Sequence, residues 1–241
     1  MFGRRGAVKM GSGDGRPGDA EAVLAEALRA FWVMVGVLAV IWVVQAVNWA
    51  DGYRLSLHYG IHTRDVTGLT GVVTAPFLHL SWAHIEGNSG PLFIFGFLAA
   101  FRGVKKFLSL TVLIVLVSGM GAWLTSGPNT VTAGASGVVF GYFGYVIVRG
   151  FFDRHRIDIV VGLVMALCFA YQFAVLLPHR GISWQGHLFG FVAGIAGGWI
   201  LRERRPRAAT DGGTRPLPSG AGQTTPGSRA DLLKELDDLG L

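Results

Sequence analysis

The run FWVMVGVLAVIWVVQAV, residues 31–47, is apolar throughout except for Gln45. With its flanks it reaches the roughly 20 residues that a helix needs to cross the hydrocarbon core of a bilayer. A signal peptide would show a shorter apolar core and a small-x-small cleavage site. This run starts at residue 31 and is followed by no clean site of that kind. Five more apolar segments follow, at residues 85–101, 107–124, 132–148, 159–177 and 186–201. The expectation is therefore an all-α polytopic membrane protein with six transmembrane helices. The fourth and sixth segments are rich in glycine, which suits helices packed against other helices rather than against lipid. Residues 48–83 mix apolar with polar side chains, including Arg54, His58, His62, Arg64 and Asp65. They read as an interfacial loop with short helices between the first and second spans.

Composition agrees with this reading. Of 241 residues, 51% are hydrophobic and only 15% charged, whereas a soluble domain carries about 25% charged residues. The 36 glycines follow no period of three and sit among apolar runs, which excludes collagen and plain disorder. Cys168, the single cysteine, cannot form an intramolecular disulfide or supply a cysteine-rich metal site, and it reads as a small hydrophobe inside the fifth apolar segment.

The net charge of +6 would suggest a nucleic-acid partner in a soluble protein, but on six spans it has a different meaning. With the N-terminus in the cytoplasm, 18 of the 21 Lys and Arg fall on that side, and only Arg54, Arg64 and Arg180 on the other. The positive-inside rule places both termini in the cytoplasm of a cell that carries this protein in its inner, or plasma, membrane. The basic excess becomes a topology signal, with the lipid bilayer and not nucleic acid as the partner. Residues 1–27 read as a disordered basic tail and residues 202–241 as a second tail. The latter ends in SRADLLKELDDLGL, residues 228–241, where Leu232, Leu233, Leu236 and Leu239 recur at helical spacing behind a possible Ser228 cap.

Polar residues within such spans are costly and are therefore candidates for function. In FLHLSWAHIEGNSGPL, residues 77–92, His84 and Asn88 are four apart and share one helical face. They can donate hydrogen bonds into one volume, or they can serve as glue between helices. Glu86 lies on another face. In VTAGASGVVFGYFGY, residues 131–145, Ser136 stands among small residues where the fourth span begins, beside the positive end of a helix. Capping or close helix packing would account for the same residues. In WQGHLFGFVAGIAGGW, residues 184–199, His187 precedes Gly190 and Gly194, whose spacing lets the sixth span press against a glycine-rich partner such as the fourth. A serine and a histidine brought together that way form a dyad, the imidazole accepting the hydroxyl proton and returning it to the leaving group. No Asp or Glu is placed to orient His187, so its orientation must come from helix packing.

In their order and spacing, His79-x4-His84-x3-Asn88, Gly134-Ala135-Ser136-Gly137 and Gly186-His187 with Gly190-x3-Gly194 resemble the rhomboid intramembrane serine proteases, over residues 28–201. The resemblance implies that Ser136 is the nucleophile and His187 the general base and then acid. His84, Asn88 and the Ser136 N–H would form the oxyanion hole. It gives His79 a structural part and makes Gly134 the glycine beside the site. It implies transmembrane proteins as substrates, cut near the outer face, with no metal and no cofactor. Phe140 stands where many members have tyrosine; its ring can still stack on His187. A Trp-Arg pair that often opens the loop before His79 is absent, with Thr70-Gly71 near that place. A pseudoprotease would normally lack one member of the dyad. A membrane metalloprotease would require an H-E-x-x-H that the chain does not contain. A transporter would show paired repeats or carboxylates within the membrane, and neither is evident.

Overall fold

The computed structural model describes residues 17–178 and 182–203, and these are mostly helical. Helix α1, Pro17–Ala50, is 34 residues long. It begins earlier than the expected boundary at residue 28, because AEAVLAEALRA, residues 20–30, is a run of strong helix formers and the preceding proline sits in the first turn. The rest of the tail expected at 1–27, and nearly all of that expected at 202–241 with its candidate C-terminal helix, lie outside the described residues.

Between α1 and the next long helix the chain is a succession of short elements. These are α2 (Arg54–Tyr59), a two-residue strand β1 (Ile61–His62), a 3-10 turn over Val66–Thr70, α3 (Gly71–Thr74) and a second 3-10 turn over Ala75–Phe77. Four long helices then follow: α4 (Trp82–Ala100), α5 (Val104–Thr125), α6 (Ser136–Asp153) and α7 (Arg156–Cys168). Strand β2 (Val131–Thr132) precedes α6 and pairs antiparallel with β1, Ile61 opposite Thr132 and His62 opposite Val131. A short α8 (Tyr171–Ala174) and the long α9 (Trp184–Ile200) complete the order. Two helical stretches, Ala20–Ala50 and Val104–Thr125, are long and apolar enough to cross a membrane by length and composition.

Helix α6 is central. Every residue from Val138 to Val146 is buried, and α4, α5, α7 and α9 all pack on it. Against α9 the approach is so close that only glycine fits: a Cβ on Gly190 would overlap the carbonyl oxygen of Gly137, and one on Gly194 that of Gly141. Large apolar side chains face outward from the outer helices, among them Trp32, Val43 and Leu167, each about two-thirds exposed. A surface of that size and character suits hydrocarbon rather than water.

The fifth apolar segment is not one helix. It breaks at Phe169–Ala170 into α7 and α8 with neither glycine nor proline at the break, so tertiary contacts override local propensity there. Gln172, which a straight lipid-facing helix would have to solvate, is buried instead. Arg149, which comes directly after the fourth apolar segment and is one of the 18 basic residues expected in the cytoplasm outside the spans, lies inside α6 and is buried. It pairs with Asp158 of α7 at 3.0 Å and donates to the Leu98 carbonyl of α4. Arg102 also pairs with Asp158, and His155 Nδ1 lies 3.2 Å from the same carboxylate. One ionic cluster thus ties the ends of α4, α6 and α7.

Without a Trp-Arg pair, the loop after α1 is fastened by other groups. Arg64 donates from its backbone N–H to the Trp123 carbonyl and from Nε to the Leu124 carbonyl, and the Trp123 indole donates back to the Asp65 carbonyl. The Asp65 carboxylate accepts the Thr67 N–H and hydroxyl, which holds its pKa below the usual carboxylate range. That makes a local Asx turn.

Candidate active site

Ser81 has extended backbone, and its Oγ accepts the His84 N–H at 3.1 Å, capping α4. The cap starts the helix at a register that puts His84 in the first turn and Asn88 one turn on, both lining the main cavity. Across from them the chain turns at Gly134, whose φ of +134° favours glycine. A Cβ there would run into the His84 ring and come within 3.8 Å of Asn88 Nδ2. Helix α6 then starts at Ser136. The Ala135 carbonyl accepts from Val138 and Val139, so the Ser136 and Gly137 N–H groups come before the first turn of bonds.

His187, in the first turn of α9, lies with Nε2 at 2.8 Å from Ser136 Oγ. Its Nδ1 is 3.2 Å from the Val175 carbonyl, just after α8. A carbonyl can only accept, so the proton is on Nδ1 and Nε2 is free to accept from the serine hydroxyl. The Phe140 ring stacks on the imidazole, centroids 4.4 Å apart and planes at 21°. The glycine contacts place this pair, since Gly190 meets the carbonyl of Gly137, the residue after Ser136.

These groups open on a cavity of about 740 Å³ lined by His84, Asn88, Ser136, Phe140, Gln172 and His187 among others. Asn88 is buried, and among the described residues its Nδ2 donates to nothing. An unpaired donor of that kind is costly unless another group accepts from it. Behind the serine, Ser118, Ser183, Gly134 and Gly137 help to enclose a second space of about 30 Å³, enough for one water. His79 precedes α4 and is fully buried. Its Nε2 accepts the Ala135 N–H at 3.4 Å, and its ring stands edge-on to His84 at 5.1 Å. Burial, reinforced by the neighbouring His84, lowers its pKa to about 3, so the ring is neutral.

The structure thus brings together Ser136, His187, His84, Asn88, Gly134, Phe140 and His79, with Gly190 and Gly194 behind them, while Glu86 is exposed on another face. Sequence reasoning missed the Val175 carbonyl. A backbone acceptor has no residue signature, and the break between α7 and α8 that presents it has no local cause. It also missed Asn48 and Ser56, both buried beside His79. Asn48, just beyond an apolar run, was the available signal.

A family model described as "Rhomboid domain" matches residues 67–204. The Mycobacterium tuberculosis protein named "Uncharacterized protein Rv1337" is 35% identical over 88% of this chain and 94% of its own length. "Rhomboid protease GlpG" of Haemophilus influenzae is 26% identical over 73% of this chain and 93% of its own. "Putative rhomboid protease YdcA" of Bacillus subtilis is 26% identical over 77% and 98%.

Proposed function

Since this chain belongs to the rhomboid family, whose members are intramembrane serine proteases, we propose that it is a serine endopeptidase that cuts transmembrane segments of other membrane proteins near the outer face. The observation that carries the proposal is the 2.8 Å approach of Ser136 Oγ to a His187 whose other nitrogen is tied to a carbonyl.

In this reading His187 Nε2 takes the Ser136 proton as Oγ attacks the scissile carbonyl. Negative charge develops on the carbonyl oxygen where the Ser136 N–H, His84 and the otherwise unpaired Asn88 amide can donate to it. His187 then returns the proton to the departing amine, leaving an acyl-enzyme on Ser136. A water, for which the small space behind the serine has room, is activated by His187 and releases the acid. Phe140 and the Val175 carbonyl hold the imidazole, in place of the carboxylate of a triad. His79 and Gly134 shape the turn before Ser136, and Gly190 and Gly194 hold α9 on α6.

The reading extends to topology. Helices α1, α4, α5, α6, α9 and the broken α7–α8 segment make six crossings, with the short elements after α1 at the outer interface and both termini in the cytoplasm of the plasma membrane. The charge asymmetry supports that orientation. Substrates enter from the bilayer and must unwind locally, because a helix keeps its carbonyls in hydrogen bonds. The test is cleavage of a single-span protein in liposomes. Ser136→Ala and His187→Ala each abolish it, whereas wild-type rates in either variant overturn the assignment.

A further inference from the structure

Helix α1 ends on a buried polar cluster that the chemistry above does not use. Asn48, Ser56 and His79 are all fully buried. The Asn48 amide nitrogen donates to the His79 carbonyl at 2.8 Å and to Ser56 Oγ at 2.8 Å, while Asn48 Oδ1 accepts the Ser56 N–H at 3.1 Å. Ser56 Oγ donates to the same His79 carbonyl at 3.1 Å. Two donors from two elements thus fix one carbonyl, that of the residue whose ring receives the Ala135 N–H. Ala135 is bonded to Ser136. From the end of α1 to the candidate nucleophile the path is two hydrogen bonds and one side chain. A second tie runs alongside, the Gly134 N–H donating to the Ala75 carbonyl at 2.9 Å.

Buried polar groups are costly unless they are paired. Here the Asn48 and Ser56 side chains are paired, while His79 Nδ1 and the adjoining Gln45 Nε2 donate to nothing among the described residues. Simple adhesion of α1 to the bundle would need no contact to His79. We infer that Asn48 is a positioning residue for the reaction, holding His79 so that its ring fixes the Ala135–Ser136 turn and, with it, the donors for the oxyanion. This inference rests on the protease reading above. Asn48 touches neither substrate nor reacting atoms. Its effect is on where the Ser136 N–H stands, and a displacement of an ångström at a catalytic group can cost about a hundredfold. Binding of the substrate segment from the membrane involves other surfaces and does not depend on it.

The experiment compares wild type, Asn48→Leu, Ser56→Ala, His79→Phe and the double variant Asn48→Leu/His79→Phe in liposomes. Rates are normalised to the fraction of protein whose Ser136 is titrated by a fluorophosphonate, so unfolded material is not counted. Asn48→Leu lowers kcat about ten- to a hundredfold with KM within about twofold, and Ser56→Ala, which leaves one donor on the carbonyl, lowers kcat about threefold. If the path runs through His79, Asn48→Leu has little further effect once His79 is phenylalanine. An unchanged kcat, a loss confined to KM, or effects that multiply in the double variant would overturn the proposal. Should Asn48→Leu fail to fold, Ser56→Ala carries the same kcat-only signature. A second readout needs no turnover: in ¹⁵N-histidine spectra the His79 Nε2 resonance shifts by several ppm in Asn48→Leu or Ser56→Ala, and an unmoved resonance also refutes the inference. A wild type that neither cleaves nor takes the probe sinks the protease reading, while the histidine spectra still decide the role of Asn48.

Discussion

Helix α6 is flanked by α9 on one side and by α7–α8 on another, and the two contacts are built differently. The α6–α9 contact is backbone against backbone, Gly190 on the Gly137 carbonyl and Gly194 on that of Gly141. It has no alternative packing, since nothing can rotate out of the way. Helix α7 begins in the same manner: Gly150 abuts the backbone of Ile159, Gly162 abuts that of Ile147, and the Arg149–Asp158 pair closes the end. Beyond Gly162 the style changes. Phe169 leans edge-on against Phe95 at 4.8 Å, Phe173 meets Phe143 and Phe191, and the Val175 carbonyl reaches His187. Aromatic contacts can be broken and remade with small rotations, whereas a glycine seam cannot slide. The candidate pair is therefore held at a rigid joint, the α6–α9 seam, while the wall beside the cavity, rigid at its foot, is adjustable beyond Gly162.

The strongest way to break this contrast is at the rigid joint. Gly194→Val forces side-chain atoms into the Gly141 carbonyl. Overpacking against backbone that cannot yield costs about 3 kcal/mol or more. We expect complete loss of cleavage and a lowered unfolding midpoint in detergent, and a variant with full activity would show that the seam can open. The next effect is at the foot of the adjustable wall. Asp158→Ala leaves the buried Arg149 and the partly exposed Arg102 without their carboxylate, and removing one partner of a buried pair such as Arg149–Asp158 costs about 3–5 kcal/mol. A substantial drop in thermal stability is expected, and a drop below about 1 kcal/mol would mean that the cluster is solvated. In that variant the Ser136–His187 pair, held from the other side, still takes a fluorophosphonate in the folded fraction.

How much of this contrast was legible in the sequence depends on which kind of contact made it. The glycine seam was readable because close approach requires glycine at a fixed spacing, and Gly190-x3-Gly194 records that requirement directly. His84 and Asn88 were readable for the same reason, a helical spacing of four. The break at Phe169 was not, since ALCFAYQFAVLL, residues 166–177, contains no helix breaker. It arises from burial of Gln172 and from contacts to distant aromatics, which are properties of the assembled bundle. By sequence the fourth segment ends at residue 148, before Arg149, because charge marks span ends on average, but this charge is neutralised by Asp158 and α6 runs on past it. The orienting acceptor for His187 was sought among carboxylates, where the sequence offers none, but a backbone carbonyl fills that place.

The adjustable wall makes a smaller and more local prediction. Phe169→Ala removes the edge-on contact to Phe95 at the point where α7 gives way to α8. Loss of an aromatic pair of about 1 kcal/mol raises local opening about fivefold. Hydrogen exchange of the amides from 167 to 177 should speed up by that factor, while those of α9 from Gly190 to Gly194 do not change. Equal acceleration in both would mean that α8 and α9 move as one body and that the distinction between joint and wall is false.

The smallest effect is expected where the two regions meet, at His187. Its ring is held from the α8 side by the Val175 carbonyl and from α6 by the stacked Phe140. Phe140→Leu keeps an apolar group under the imidazole but removes the parallel face, a loss of about 1 kcal/mol of orientation. Because the Nδ1 hydrogen bond persists, the tautomer is unchanged. Cleavage should fall only about fivefold, with the decrease in kcat. A loss approaching that of His187→Ala would instead mean that the stacked ring dominates and that the carbonyl of the adjustable wall contributes little, which would leave the dyad indifferent to how α8 moves.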